Sequence, residues 1–118
     1  MNKILVVDDD LDILSLVQII LGMNHFVVET TSKWEEINSR IATFKPDIVL
    51  LDVMLGGADG RDICRNLHLD KKTEDLPVVL FSANPEMGKY TKGCAAKAFI
   101  AKPFEIPTLL KTIKASMN

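Results

Sequence analysis

The sequence has little of what would mark a specialised chain. Its two cysteines, Cys64 and Cys94, stand far apart and offer neither a zinc-ligand spacing nor a disulfide framework. They read as buried or half-buried thiols of a reducing compartment. No run of lysine or arginine is long enough for a basic tail, and a net charge of −2 has the wrong sign for a generic nucleic-acid binder. No apolar stretch approaches bilayer length. The opening MNKILVVDDD meets acid at once and is too short for a signal peptide or a span. Repeats, low-complexity tracts and linker-like segments are also missing. What remains is 118 residues, 47% of them hydrophobic, enough for one domain over 1–118 with a packed core. The expectation is a cytoplasmic protein with no membrane partner and no direct contact with nucleic acid.

Two periods alternate along the chain. Ile4–Val7 is a continuous apolar run of strand type, and Leu11–Leu21 carries its apolar residues at helical spacing. Phe26–Thr31 is β-branched and aromatic, hence a strand. Lys33–Thr43 steps through Trp34, Ile37 and Ile41 as a helix, with Ser32 as its expected N-cap and Glu35 three residues on. Ile48–Leu51 is a third strand, and Gly56, Gly57 and Gly60 predict a loop after it. Arg61–Leu69 reads as a helix, Pro77–Phe81 and Phe99–Ala101 as strands, and Ile106–Met117 as a closing helix. Strands apolar throughout are buried on both faces, as in parallel sheets covered by helices. The fold class predicted is therefore α/β, a doubly wound (βα)5 domain with a five-stranded parallel sheet.

In such a sheet, chemistry gathers beyond the carboxyl ends of the strands. Those ends carry Asp8, Asp9 and Asp10 after the first strand, Asp52 after the third, Ser82 after the fourth and Lys102 after the fifth. Carboxylates drawn together repel unless a cation compensates them. Mg2+ suits one or two carboxylates with waters and phosphate oxygens. Asp10 or Asp12 also suits an N-cap of the next helix. Asp52 stands several residues before the next predicted helix, so capping does not account for it. A carboxylate can attack phosphorus and become an aspartyl phosphate. Positive charge from a metal and Lys102, and a hydroxyl from Ser82, would neutralise the phosphoryl oxygens.

These residues resemble the receiver domain of response regulators in two-component phosphorelays. ILVVDDD is similar to that family's first strand and acidic pair, and DIVLLDVMLGGADG to its phosphoacceptor strand and loop. LPVVLFSAN is similar to its fourth strand with the switch hydroxyl, and AFIAKPF to its fifth strand and Lys–Pro pair. The resemblance runs from Lys3 to about Met117 and implies a flavodoxin-like fold of strand order 2-1-3-4-5. It implies Asp52 as phosphoacceptor. It gives Asp9 and Asp52 as direct Mg2+ ligands, the carbonyl of Met54 as a third, and Asp8 acting partly through water. Lys102 would pair with the acceptor and then with its phosphoryl oxygens, and Ser82 would hydrogen-bond the phosphoryl group. Phe99 stands where the family often has an aromatic switch residue, and Lys102–Pro103 would be a cis peptide. The implied partners are a sensor histidine kinase or histidine phosphotransfer protein upstream. Downstream stands an output protein or a covalently linked effector domain. Such a domain is not an enzyme in the usual sense. It catalyses only its own phosphorylation and autodephosphorylation.

Two features depart from the family pattern. Gly56 stands where a proline four residues after the acceptor is common, which frees the backbone there. Only ten residues separate Ser82 from Gly93, and they include Asn84, Pro85 and Gly88, so a short or irregular fourth helix is expected. Competing readings are weaker. A degenerate receiver used as a scaffold would not need the acceptor, acidic pair, hydroxyl and lysine together. An aspartyl-phosphate phosphatase of this arrangement wants a second Asp two residues after the nucleophile, where this chain has Met54. A flavin- or nucleotide-binding domain wants a phosphate-cradling loop where this chain has DDDLD.

Overall fold

A computed structural model describes residues 2–84, 86 and 92–117. Five parallel strands form the central sheet: β1 (Lys3–Val7), β2 (Val27–Thr31), β3 (Ile48–Asp52), β6 (Val78–Ser82) and β7 (Ala98–Ala101). Their order is β2-β1-β3-β6-β7. That is the order 2-1-3-4-5 of the resemblance once two short extra strands, β4 (Met54–Leu55) and β5 (Ala58–Asp59), are set aside. Among the described residues the α-helices are α1 (Leu11–Met23), α2 (Ile37–Phe44), α3 (Gly60–Leu69) and α4 (Ile106–Ser116). The expected short fourth helix falls on a segment mostly outside the described residues. Within them that segment contributes only Ala83, Asn84, Glu86 and a 3-10 turn at Lys92–Cys94.

The alternation of side chains along each strand divides the core in two. Ile4, Val6, Leu50, Val79 and Phe81 face α1 and α4, packing with Leu14, Val17, Leu109 and Ile113. Leu5, Val7, Val49, Leu51, Val78 and Leu80 face α2 and α3, packing with Ile37, Cys64 and Leu67. Every residue of β3 and β6 is buried, the consequence of a sheet covered on both sides.

Local chemistry sets the helix starts. The Asp10 carboxylate accepts the Asp12 and Ile13 N–H groups and caps α1, one of the two capping choices read from sequence. Ser32 does not cap the second helix. That helix begins as a 3-10 turn, Trp34–Glu36, without a side-chain cap. The Thr31 hydroxyl, at the buried end of β2, accepts the Lys33 N–H at 3.1 Å and donates to Glu36 at 3.1 Å instead. The glycine-rich loop after Asp52 is also more ordered than a loop. β4 and β5 pair antiparallel, Met54 with Asp59 and Leu55 with Ala58, around Gly56 and Gly57. Gly57 takes φ +87, a left-handed conformation that closes the turn and that a side chain would strain.

Candidate functional site

The sheet order reverses between β1 and β3, and the predicted acids stand at that point. Ladder bonds run to the strand ends and fix the loops leaving them. The Val53 N–H donates to the Phe81 carbonyl at 3.0 Å and the Lys102 N–H to the Ser82 carbonyl at 2.8 Å. Asp8, Asp9 and Asp52 are thereby brought together, with one carboxylate oxygen of each lying within 4.8 Å of the others.

Each acid has a different setting. Asp8 is fully buried and both its oxygens are engaged: Oδ1 accepts the Asp10 N–H at 2.9 Å and Oδ2 the Lys102 ammonium at 2.7 Å. Asp9 is exposed and accepts the Gly56 N–H at 3.2 Å. Asp52 is buried, accepts the Met54 N–H at 3.2 Å, and lies 3.3 Å from Lys102. Burial, and then the charge of Asp8, push the Asp52 carboxyl up to about 6, and Lys102 offsets only part of this. Three carboxylates thus share one ammonium. That imbalance, with oxygen donors this close together, is the chemistry a small hard divalent cation satisfies, so the residues fit Mg2+.

Lys102 bridges Asp8 and Asp52 while its Nζ lies 4.4 Å from the centroid of the Phe81 ring. The ring face fixes the ammonium from a third side. Ser82 is fully buried at the end of β6, where its hydroxyl accepts the Asn84 N–H at 3.1 Å. A hydroxyl bonded in this way keeps its proton to donate. The Lys102–Pro103 peptide is cis. The Met54 side chain is exposed. Phe99 is not at the acidic cluster. It pairs with Leu80 across the sheet and is half-buried against the core on the α2–α3 side.

Three contributors were not visible in the sequence. Phe81 reads as one more core residue of an apolar strand. Its place under Lys102 follows from the register that sets Phe81 beside Asp52 and Ile100. Gly56 reads as a loop glycine, yet its N–H holds Asp9, a bond that a proline there could not make. Gly60 reads as a loop residue but begins α3, and a Cβ on it would lie 2.2 Å from the Asp52 carbonyl oxygen. Only glycine lets α3 start this close to the end of β3.

The acidic edge thus lies at the switch point of a parallel sheet and is closed by Lys102, just past the end of β7. The family model for the response regulator receiver domain matches residues 4–114, and the chain belongs to that family. The phosphate regulon transcriptional regulatory protein PhoB of Rhizobium meliloti is 33% identical over 98% of this chain, and the match covers 52% of that protein. The chain therefore spans about half the length of this curated relative. Among solved structures, the BeF3-activated N-terminal receiver domain of Klebsiella pneumoniae RstA is similar at TM-score 0.90 and 29% identity, covering 99% of both chains. The response regulator TrrA of Thermotoga maritima, solved in complex with Mg(2+)-BeF, is similar at TM-score 0.88 and 26% identity, covering 98% of both.

Proposed function

We propose that this domain accepts a phosphoryl group on Asp52 from a histidine kinase or histidine phosphotransfer protein, in a Mg2+-dependent reaction that switches a partner-binding surface. The observation that carries this reading is the convergence of Asp8, Asp9 and Asp52 around an ammonium that touches both buried acids. An Asp52 oxygen attacks phosphorus, the bond from phosphorus to the donor nitrogen breaks, and the product is an aspartyl phosphate. Asp9, Asp52 and the Met54 carbonyl would hold Mg2+ directly, with Asp8 acting partly through water. Bound there, the ion supplies the positive charge that three carboxylates lack.

Lys102 is already 3.3 Å from Asp52 and is placed to follow the charge onto the phosphoryl oxygens. Ser82 donates its hydroxyl proton to the same group. A phosphoryl group adds about −1.5 to −2 charges. Contacts from Ser82 and Lys102 that exist only in that state bias a two-state equilibrium in the segment after β6. Phe99 follows from that segment and not from the acids. The domain turns over no separate metabolite. Met54 stands where a phosphatase would place a second acid. Output passes to a separate protein or to an attached effector domain, as the greater length of PhoB suggests. No helix among the described residues is long and apolar enough to cross a membrane, and the reading places the protein in the cytoplasm.

The test is intact mass after incubation with Mg2+ and acetyl phosphate. One labile phosphoryl adduct is expected, missing in Asp52→Asn and suppressed by chelator. An adduct that persists in Asp52→Asn, or none with any donor, would count against the reading and favour a scaffold.

A further inference from the structure

The two cysteines are distant in sequence but meet in the fold. Cys64 lies on α3 and Cys94 closes the 3-10 turn Lys92–Cys94, on the connection from Ser82 to Lys102. Both are buried thiols. The Cys64 thiol donates to the Cys94 carbonyl at 3.1 Å, and both residues pack in one buried cluster. Arg61 and Arg65, on the same helix as Cys64, are ion-paired with Asp59 at 2.6 Å and Asp62 at 3.0 Å. His68 Nδ1 lies 3.7 Å from the Cys64 sulfur and 2.8 Å from that residue's carbonyl oxygen. The chain leaves the turn through Ala95 at φ +65, a left-handed conformation that alanine adopts only when its surroundings impose it.

We propose that Cys64 and Cys94 are a two-cysteine oxidation site that closes to an intramolecular disulfide with hydrogen peroxide as oxidant, and that the bond fixes the Lys92–Cys94 turn to α3. Cys94 attacks first, because it sits on a short turn, whereas Cys64 lies within α3, where burial holds its thiol in its protonated form. The Cys94 thiolate attacks one peroxide oxygen, the O–O bond breaks and hydroxide leaves, giving a sulfenic acid. Cys64 then loses its proton and attacks that sulfur. The S–O bond breaks, the departing hydroxide takes up a proton as water, and the S–S bond forms. In sum, two thiols and one peroxide give one disulfide and two waters.

The bond would join two parts of the fold that meet the acidic site separately. α3 begins at Gly60, packed on the Asp52 carbonyl. The turn leads into β7, anchored by the Lys97 N–H on the Val78 carbonyl at 2.8 Å and ending next to Lys102. Neither link depends on Asp52 being phosphorylated.

The test uses the reduced full chain, treated with hydrogen peroxide without metal or phosphodonor, unfolded in urea with N-ethylmaleimide, and weighed intact. The expected species has lost two hydrogens and takes no maleimide, and dithiothreitol converts it to one that takes two. A peptide map should join the Cys64 and Cys94 peptides. In Cys64→Ser and in Cys94→Ser no chain should lose two hydrogens. Hydrogen exchange at the amides of Lys92–Lys97 should slow on oxidation and recover on reduction. Two maleimides still taken after excess peroxide, oxygenated sulfurs without a cross-link, or a disulfide between two chains would each overturn the proposal. Unchanged exchange in the cross-linked protein would overturn its claim about the turn. Because Asp52 takes no part, Asp52→Asn should oxidise like the wild type, which separates this outcome from the fate of the phosphoryl reading.

Discussion

Replacing Asp52 should stabilise the metal-free protein. Asp52 is held at about 6 against an ordinary value of 3.8, with burial the first cause and Asp8 the second. A folded-state value above the unfolded one means that the native protein binds the proton more tightly. The contribution of Asp52 to stability is therefore fully present below about pH 4, is lost as pH rises toward 6, and stays lost above it. The separation corresponds to at most about 3 kcal/mol lost at neutral pH. Asp52→Asn keeps the shape and removes the charge. Lys102 retains its 2.7 Å contact with Asp8, so no buried ammonium is abandoned. We expect a gain of about 1–3 kcal/mol at pH 7.5 in the presence of chelator, shrinking toward zero near pH 4. For 118 residues, about 4 °C of melting temperature accompanies each kcal/mol. Urea titrations of both proteins across that pH range measure the difference directly. Adding Mg2+ should raise the wild type and not the variant, by about 1.4 kcal/mol at ten times the dissociation constant. A variant less stable than wild type at neutral pH, or a difference independent of pH, would refute the view that Asp52 is an uncompensated buried charge.

Other substitutions separate the parts of the site. Lys102→Ala leaves the fully buried Asp8 without its cation and should cost about 3 kcal/mol in urea denaturation without metal, part of it restored by Mg2+. Gly60→Ala drives a Cβ into the Asp52 carbonyl and should cost about 1–3 kcal/mol, read by thermal melting. Gly56→Pro removes the N–H that holds Asp9 and should cost about 1 kcal/mol. Gly56→Ala keeps that N–H and places its Cβ 3.6 Å from Asp9, an ordinary contact, so its urea midpoint should match wild type.

Most of the architecture was legible because it rests on local chemistry. Runs such as Ile48–Leu51 and Val78–Phe81 are apolar at every position, and only a doubly covered strand buries all of them. The acids, hydroxyl and lysine stand at strand ends, so finding the strands also found Asp8, Asp9, Asp52, Ser82 and Lys102. What sequence hid depends on register and on backbone atoms. That Phe81 lies under Lys102 follows from pairing between residues distant in the chain. The role of Gly56 lies in an amide hydrogen that nearly every residue has. Ser32 was favoured as a cap by residue type, but Thr31, the last residue of β2, was nearer to the groups needing partners. The contact of Cys64 with Cys94 arises because β6 and β7 are neighbours, which sets the Lys92–Cys94 turn before β7 against α3.

The place of Lys102 bears on how the chain is made. The acids come from β1 and β3, but their cation comes from the end of β7, the last strand of this sheet to be synthesised. Until about residue 102 has emerged, β1 and β3 can pair only by bringing Asp8 and Asp52 together with no lysine between them. The nascent domain thus carries a built-in reason to stay open, and the arrival of its edge strand closes the sheet and brings Lys102 to both buried acids in one step.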